Sequence, residues 1–516
     1  MLHEAVAAGD HKHELLSHCA GAASSVHDEC TAILSSTRLR LQTNDSLAGC
    51  DPALVDLLSR YAAITRDLCQ ELSDDGTMAA QQAGSSSDHI LALKRLEDLA
   101  SVAYSKFYAF LFKDLPMCWR QLYTDARILK FCILLSRWLR DTESQDEQAE
   151  QGLDTLVETL DVALILAGAA GAQRGRRWIG EALELLRLVW LEGTQSQHPG
   201  DSPGTRPIKR LKLEGTAAAT FASNQPFTPP VRHPIEKVKA LAIDEFQTYM
   251  DQPRNPNLGP EPLVIRDILD EWPALTTHPW NQPSYLLSQT LDGRRLVPVE
   301  VGRSYVDEGW GQKLIPFGTF LRDCITEPTS QSETASQSKP TKPTAYLAQH
   351  QLFTQLPRLR DDILIPDYCY TSPPPHPNDP QVNQTELDAP LLNAWFGPPG
   401  TISPLHHDPY HNILAQVVGR KYVRLYSPFE TSRLHARGRE NGVDMENTSS
   451  LDVGVLEGWD EAASEDQEDD EKRGQFHDIP FVDCILEPGD VLYIPIGWWH
   501  YVRGLSISFS VSFWWN

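Results

Sequence analysis

Ile402-Ser403-Pro404-Leu405-His406-His407-Asp408-Pro409, answered far downstream by Ile494-Pro495-Ile496-Gly497-Trp498-Trp499-His500, decides how this chain is read. A His-x-Asp pair and a distal histidine offer two imidazoles and one carboxylate to a single metal ion. That is the donor set of a non-haem Fe(II) site whose opposite face stays open. Zinc accepts the same donors, so their number alone leaves both metals in play. The flanking residues read as short strands between turns. Residues 393–401 end in a Pro/Gly turn, 402–405 lead into the histidines, and 412–418 are mostly apolar. Gly419-Arg420-Lys421 makes a turn or strand end, and 422–426 alternate. On an extended segment His406 and Asp408 project to one side and His407 to the other. The candidate ligands are therefore His406, Asp408 and His500, with His407 a bystander. Residues 484–495 read as strand, turn, strand, and His500 is expected to open one final strand running to Trp515, with the small/apolar alternation of a barrel wall.

Further words recur along the same half of the chain: Val-Pro-Val-Glu-Val-Gly at 297–302, Tyr-Leu-Ala-Gln-His-Gln-Leu-Phe at 346–353 and Ile-Pro-Asp-Tyr-Cys at 365–369. They continue as Ala-Trp-Phe-Gly-Pro at 394–398, Gln-Val-Val-Gly-Arg-Lys-Tyr-Val-Arg-Leu-Tyr at 416–426 and Trp-His-Tyr-Val-Arg at 499–503. In these words, residues 235–516 resemble the JmjC-domain oxygenases that use Fe(II) and 2-oxoglutarate. Within them they are most similar to the JmjC-domain-containing protein 5 group, called both lysine demethylase 8 and arginyl hydroxylase. The resemblance implies that His406, Asp408 and His500 hold iron and that Lys421 pairs with the distal carboxylate of 2-oxoglutarate. Tyr346 and Ser403 would assist with hydroxyls and Asn412 would hydrogen-bond the cosubstrate from the other side. Trp395 and Trp514 would wall the pocket against water. Gln349, from the same word as Tyr346, would face substrate; Tyr410 and His411 receive no role. The residue types make sense independently, because a buried dicarboxylate needs a cation and hydroxyl donors, and a lysine in an apolar strand needs a partner.

The chain has 516 residues, enough for two or three domains, with 70 acidic against 45 basic residues. A formal charge of −25 argues against binding to nucleic acid through its phosphates. It suits a basic protein or peptide partner, such as a histone tail or a ribosomal or chromatin-associated protein. Nine cysteines without a Cys-x-x-Cys pair indicate reduced thiols in an intracellular protein. The first residues lack a signal-peptide pattern, and the longest apolar stretch, 162–172, is too short to span a bilayer.

Residues 1–195 carry helical periodicity: Leu91, Leu93, Leu96, Leu99 and Val102 in one predicted helix, Ile128, Phe131, Leu134, Leu135 and Trp138 in another. Residues 153–168 and 179–191 add two more, and these stripes are expected to be core. Residues 196–234 read as a flexible linker rich in Ser, Pro, Gly and Thr. Within it Arg206-Pro207-Ile208-Lys209-Arg210-Leu211-Lys212-Leu213 resembles a nuclear import signal. Polar insertions near 327–344, 372–388 and 457–473 are expected as loops or disordered lids, the last a solvated acidic run.

The expected fold is α+β: an N-terminal α-helical domain followed by a double-stranded β-helix (cupin/jelly-roll) JmjC domain. The expected enzyme is a 2-oxoglutarate-dependent dioxygenase of the nucleus, with Fe(II), 2-oxoglutarate and O2 as cofactors, hydroxylating a protein side chain, arginine first. A histone methyl-lysine demethylase uses the same chemistry and stands as the alternative. A catalytically inactive JmjC scaffold is the alternative of another class; the full ligand set and Lys421 weigh against it. The chain stops at Asn516, directly after the last predicted strand, without the C-terminal helices some relatives dimerise through, so a monomer is expected.

Overall fold

The computed structural model of the protein describes residues 10–35, 46–74, 86–110, 114–140, 146–171, 173–196, 220–302, 304–306, 309–326, 344–440, 443–461 and 470–516. The basic cluster at 206–213, and most of the insertions near 327–344 and 457–473, lie outside the described residues. Two compact units emerge: Met1–Arg210 with Arg294–Leu296, and Leu211–Gly293 with Val297–Asn516. Among the described residues no helix is long and apolar enough to cross a membrane. All nine cysteines are free thiols.

The first unit is helical: α1 (Asp10–Ser35), α2 (Pro52–Asp74), α3 (Ser86–Phe107), α4 (Met117–Arg140), α5 (Asp146–Ala167) and α6 (Arg176–Ser196). α4 is the central helix. Ile128, Phe131 and Leu135 are buried as the stripe predicts, and so are Gln121, Thr124, Asp125 and Ser136. A helix closed on nearly every side belongs inside a bundle, and α1, α2, α3 and α5 all pack on it. Its buried Asp125 is held by Arg174 through contacts of 2.8 and 2.9 Å, because a charge taken from water must be paired.

α3 departs from the sequence reading. Leu91 and Val102 are exposed, while Ala92, Leu96, Leu99, Ala100 and Ala103 form the packed face. Alanines let helices approach closely, and a reading weighted toward large side chains passes over them.

The second unit is built on β1 (Lys237–Lys239), β2 (Leu263–Arg266), β3 (Leu296–Val301), β4 (Gly311–Pro316), β5 (Ala345–His350), β6 (Leu391–Gly397), β7 (Ile402–His406), β8 (His411–Val418), β9 (Lys421–Tyr426), β10 (Arg439–Glu440), β11 (Val443–Asp444), β12 (Phe481–Leu486), β13 (Val491–Ile494), β14 (Trp499–Gly504) and β15 (Ser508–Trp515). A nine-stranded sheet runs β1-β2-β13-β8-β15-β6-β5-β3-β4, and a four-stranded sheet runs β12-β9-β14-β7. Their facing sides share one core, with Leu414, Leu492 and Ile494 from the larger sheet meeting Val423, Leu425, Cys484 and Val502 from the smaller. The outer side of the small sheet carries Tyr422, Tyr426, Trp499 and Tyr501 beneath Leu434, Leu456 and Phe476. The outer side of the large one packs Ile413, Tyr493, Phe509 and Phe513 against Trp272, Trp280, Phe317 and Phe320. Each such side chain contributes about 1.5–3 kcal/mol on burial. This is the double-stranded β-helix the sequence predicts.

Three departures matter for the site. The single final strand expected from His500 to Trp515 is two strands in different sheets, β14 and β15, parted at Leu505–Ile507. In β7, His406 pairs with His500 but Ser403 pairs with Val502, so three steps on β7 answer two on β14. That bulge sits at Pro404 and Leu405 on an edge strand, where a proline is tolerated. Gly419 has φ +68°, and a Cβ there would lie 1.9 Å from the Ile507 carbonyl oxygen, so only glycine makes the β8–β9 turn that delivers Lys421.

Two insertions also differ from expectation. Glu457, read as the start of a solvated acidic run, is 1 % exposed at its side chain and bonds Arg424 at 2.6 Å. Asp460 accepts both Nη atoms of Arg503, at 2.7 and 2.9 Å. The 372–388 segment is anchored: His376 packs on Gly497, and Leu387 N–H donates to Asn516 Oδ1 at 3.0 Å.

Candidate metal centre

His406 ends β7, Asp408 follows two residues later, and His500 is the second residue of β14, directly opposite His406. Their ligand atoms lie within 4.8 Å of one another, the only such group among the described residues. Asp408 Oδ1 is 3.8 Å from His406 Nε2, and its Oδ2 is 3.6 Å from His500 Nε2. Each imidazole is held the same way: His406 Nδ1 donates to the Pro404 carbonyl at 2.7 Å, and His500 Nδ1 to the Trp498 carbonyl at 3.0 Å. A proton fixed on Nδ1 leaves the Nε2 lone pair facing the partner ligands. Burial holds His500 well below the usual imidazole range, which keeps it neutral and ready to coordinate. Burial raises Asp408, while His406, His407 and the Asn412 amide pull the other way.

The cluster opens on a narrow inner cavity of about 20 Å³ lined by Tyr346, Trp395, Ser403, Asn412, Lys421 and Leu414. Ser403 and His406 face it together only because of the β7 bulge; strict alternation would send residues three apart to opposite sides. Lys421 is 1 % exposed. Its ammonium donates to Tyr346 Oη at 3.1 Å, and burial lowers its pKa from 10.5 to about 7. Burial also pushes the Tyr346 phenol up, leaving it a firm donor. Asn412 Oδ1 is buried with no hydrogen-bond partner. A buried ammonium with one neutral neighbour is capacity for an anion that this chain does not itself supply. A dicarboxylate chelating a metal at the three ligands fits these residues.

A wider outer cavity of about 380 Å³ shares Tyr346, Trp395, Ser403, His406 and Asp408, and adds Glu300, Tyr305, Gln349, Thr448 and Trp514. Trp395 therefore borders both chambers and Trp514 the outer one. Trp514 stacks on Tyr410 at 5.7 Å, and its Nε1 has no partner. His407 points away, edge-on to Trp499 at 4.6 Å, and is depressed to about 4 by burial and then by His406. His411 is spent on structure, between Tyr493 Oη and the Pro374 carbonyl, both at 2.9 Å.

Glu300 is the residue the sequence reading quoted without a role. It lies on β3 opposite Tyr346, and burial raises its carboxyl above the usual range while a hydrogen bond from Trp310 opposes this. The signal was present: a lone carboxylate in Val-Pro-Val-Glu-Val raises the same question as Lys421. Tyr305 and Thr448, 3.3 Å apart at their hydroxyls, come from loops that carry no pattern.

Residues 253–516 match the model of the family described as Cupin-like domain. The chain is 32 % identical to Lysine-specific demethylase 8 of Danio rerio over 449 residues, 87 % of this chain and 92 % of that protein. It is 37 % identical to Jumonji C domain-containing protein 5 of Drosophila melanogaster over 406 residues, 78 % of this chain and 82 % of that one. Lysine-specific demethylase JMJ30 of Arabidopsis thaliana matches at 42 % over 282 residues, 55 % of this chain and 54 % of its own.

Proposed function

This chain belongs to the cupin-like JmjC family of 2-oxoglutarate-dependent oxygenases, and within it we propose a protein hydroxylase acting on a cationic side chain, arginine first. The observation that carries the reading is Lys421, a buried ammonium with one neutral partner inside the barrel that also holds His406, Asp408 and His500. When bound, Fe(II) and 2-oxoglutarate supply with O2 one oxygen atom for a substrate C–H bond, the cosubstrate leaving as succinate and CO2. His406, Asp408 and His500 would hold the metal. Lys421 would pair with the distal carboxylate of the cosubstrate, with Tyr346 and Ser403 donating hydroxyls beside it, and Asn412 would steady the ligand from β8. Trp395 and Trp514 keep water from the reacting centre.

Glu300 supplies the preference for substrate charge. A half-buried carboxylate on the wall of the outer cavity favours a cation within reach of the metal and disfavours an acid. The net charge of −25 acts in the same direction at long range. The partner is then a basic protein segment, as in histone tails or ribosomal proteins. A nuclear location belongs to the same proposal; it rests on the cluster at 206–213, and Lys209→Ala with Arg210→Ala would strip a tagged protein of nuclear accumulation.

Demethylation of methyl-lysine is the second reading, favoured by the Danio rerio and Arabidopsis thaliana relatives, both named as lysine-specific demethylases. Hydroxylation of an N-methyl carbon gives a hemiaminal that collapses to formaldehyde and the amine. Hydroxylation of an arginine carbon gives a stable alcohol. Mass spectrometry separates them on basic peptides incubated with Fe(II), 2-oxoglutarate and air, with His406→Ala as control. One added oxygen on arginine supports the hydroxylase, and methyl loss with formaldehyde supports the demethylase. Wild type matching the control, with no succinate formed, would leave a scaffold.

A further inference from the structure

Asp408 is the one candidate ligand that no strand holds. β7 ends at His406, β8 begins at His411, and His500 lies inside β14. The two histidines are therefore fixed by the ladder that pairs them, and the carboxylate is not. Its backbone is met instead by Gly497, in the turn between β13 and β14, whose N–H points at the Asp408 carbonyl from 3.4 Å. Gly497 has φ +78°, and a Cβ there would lie 2.0 Å from Nε2 and 2.5 Å from Cδ2 of His376. The imidazole fills the space that a side chain at 497 would need, and bears directly on the turn.

His376 comes from the 372–388 segment and is itself held. Its Nδ1 accepts the N–H groups of Asp379 at 2.9 Å and Asn378 at 3.4 Å, and its own N–H donates to Asn383 Oδ1 at 3.0 Å. Burial keeps the imidazole below its usual range, so Nδ1 stays free to accept and the ring proton sits on Nε2. The segment is tied on both sides of it. The Pro374 carbonyl lies 2.9 Å from His411 Nε2, and Asn516 Nδ2 donates to the Gln384 and Thr385 carbonyls, both at 3.0 Å. One end of the ring closes its own turn and the other end props the turn beside the ligands.

We propose that His376 is a positioning residue for the metal centre: its ring sets the Gly497 turn and, through the Gly497 N–H, the backbone of Asp408. The carboxylate then keeps its place 3.8 Å from His406 Nε2 and 3.6 Å from His500 Nε2. This inference rests on the reading of His406, Asp408 and His500 as metal ligands, and names what holds the carboxylate among them. Affinity for a metal follows how well its donors are placed beforehand, and losing an outer partner of a ligand costs about 10–100-fold.

The test separates the two ends of the ring. His376→Asn puts an amide oxygen where Nδ1 accepts, so the segment keeps its turn, but is too short to reach Gly497. His376→Gln restores the reach. Mn(II) affinity is measured by calorimetry without oxygen, together with thermal melting of the metal-free proteins. His376→Asn weakens Mn(II) binding about tenfold and melts as wild type does, and His376→Gln recovers most of the affinity. The Fe(II) concentration that half-saturates peptide-free succinate formation moves in parallel. Gly497→Ala weakens Mn(II) binding by itself, and costs less when added to His376→Asn, because the clash with the ring is gone. Unchanged Mn(II) affinity in His376→Asn, or strictly additive effects of the two substitutions, would overturn the inference. So would equal weakening in His376→Asn and His376→Gln with a lowered melting temperature, which would leave His376 only holding its own segment. Wild type that binds Mn(II) no more tightly than His406→Ala removes the metal centre and this inference with it.

Discussion

Lys421 and Arg424 stand three residues apart on β9, both buried, on opposite faces of one sheet. Arg424 lies on the outer face, where Glu457 meets Nη1 at 2.6 Å, Tyr422 lies 3.0 Å from Nε, and the Phe481 ring is 4.0 Å from the guanidinium carbon. Lys421 lies on the inner face with the Tyr346 hydroxyl. Burial penalises both charges. The outer face answers with a carboxylate, so that cation is part of the fold. The inner face has a phenol, so that cation is held ready for something else. Burial alone does not mark a functional charge; burial without an opposite charge does.

The largest effect tests what the inner face serves. His406→Ala, Asp408→Ala or His500→Ala should drop turnover to background, beyond the roughly 10–100-fold that loss of a supporting hydrogen bond costs a metal site. Thermal melting should show the protein still folded, since the three ligands lie in a cavity.

Next comes the outer face. Arg424→Met leaves the buried Glu457 carboxylate with the half-exposed Arg232 alone, at 3.0 Å, and should cost up to about 3 kcal/mol in denaturant unfolding. The folded fraction should bind 2-oxoglutarate as wild type does.

Lys421→Met should invert that result. The protein without cosubstrate should be as stable as wild type or more so, because a costly buried ammonium is gone. Affinity for 2-oxoglutarate should fall about 10- to 100-fold, the scale of one charge-assisted hydrogen bond in a buried site. Equal losses of stability in both variants would erase the distinction.

Acidity sharpens the comparison further. With a pKa near 7, Lys421 is charged below that pH and neutral above it in the free protein. A carboxylate prefers the charged form, so 2-oxoglutarate binding should weaken as pH rises above 7, by at most about tenfold per unit. Lys421→Met should flatten that slope, and titrations from pH 6.5 to 8.5 would read it.

The smallest effect lies at the cavity mouth. Glu300→Gln should raise KM for a cationic peptide about three- to tenfold, discounted for partial exposure, with succinate formation in the absence of peptide unchanged.

Much of this contrast was legible in the sequence. His406, Asp408 and His500 stand out because few other patterns place two imidazoles and a carboxylate on strand ends. Lys421 stands out because a cation among Tyr422, Val423 and Leu425 needs a reason. The strands were readable because β8 and β13 are short apolar runs, and β9 an alternating one, each set off by turn residues. What escaped follows from places where the period of two fails. The bulges at Pro404-Leu405 on β7, and between Leu347 and His350 on β5 where it pairs with β6, add one residue each, and no local rule announces that Ser403 and His406 face one way. The break at Leu505–Ile507 divides an uninterrupted β-prone run, because the chain must cross from one sheet to the other. Glu457 looked solvated because its partners, Arg424 and Arg232, are distant in sequence. The α3 face was misjudged because Ala92, Ala100 and Ala103 pack by fitting closely rather than by bulk.

The most direct measurement is the proton balance of cosubstrate binding. 2-Oxoglutarate would be titrated calorimetrically at pH 8, without oxygen, into Mn(II)-loaded protein in two buffers of different ionisation enthalpy. If Lys421 waits neutral for a carboxylate, wild type takes up close to one proton per ligand bound, and Lys421→Met takes up none. Heats that do not depend on the buffer, or the same uptake in both proteins, would contradict the account.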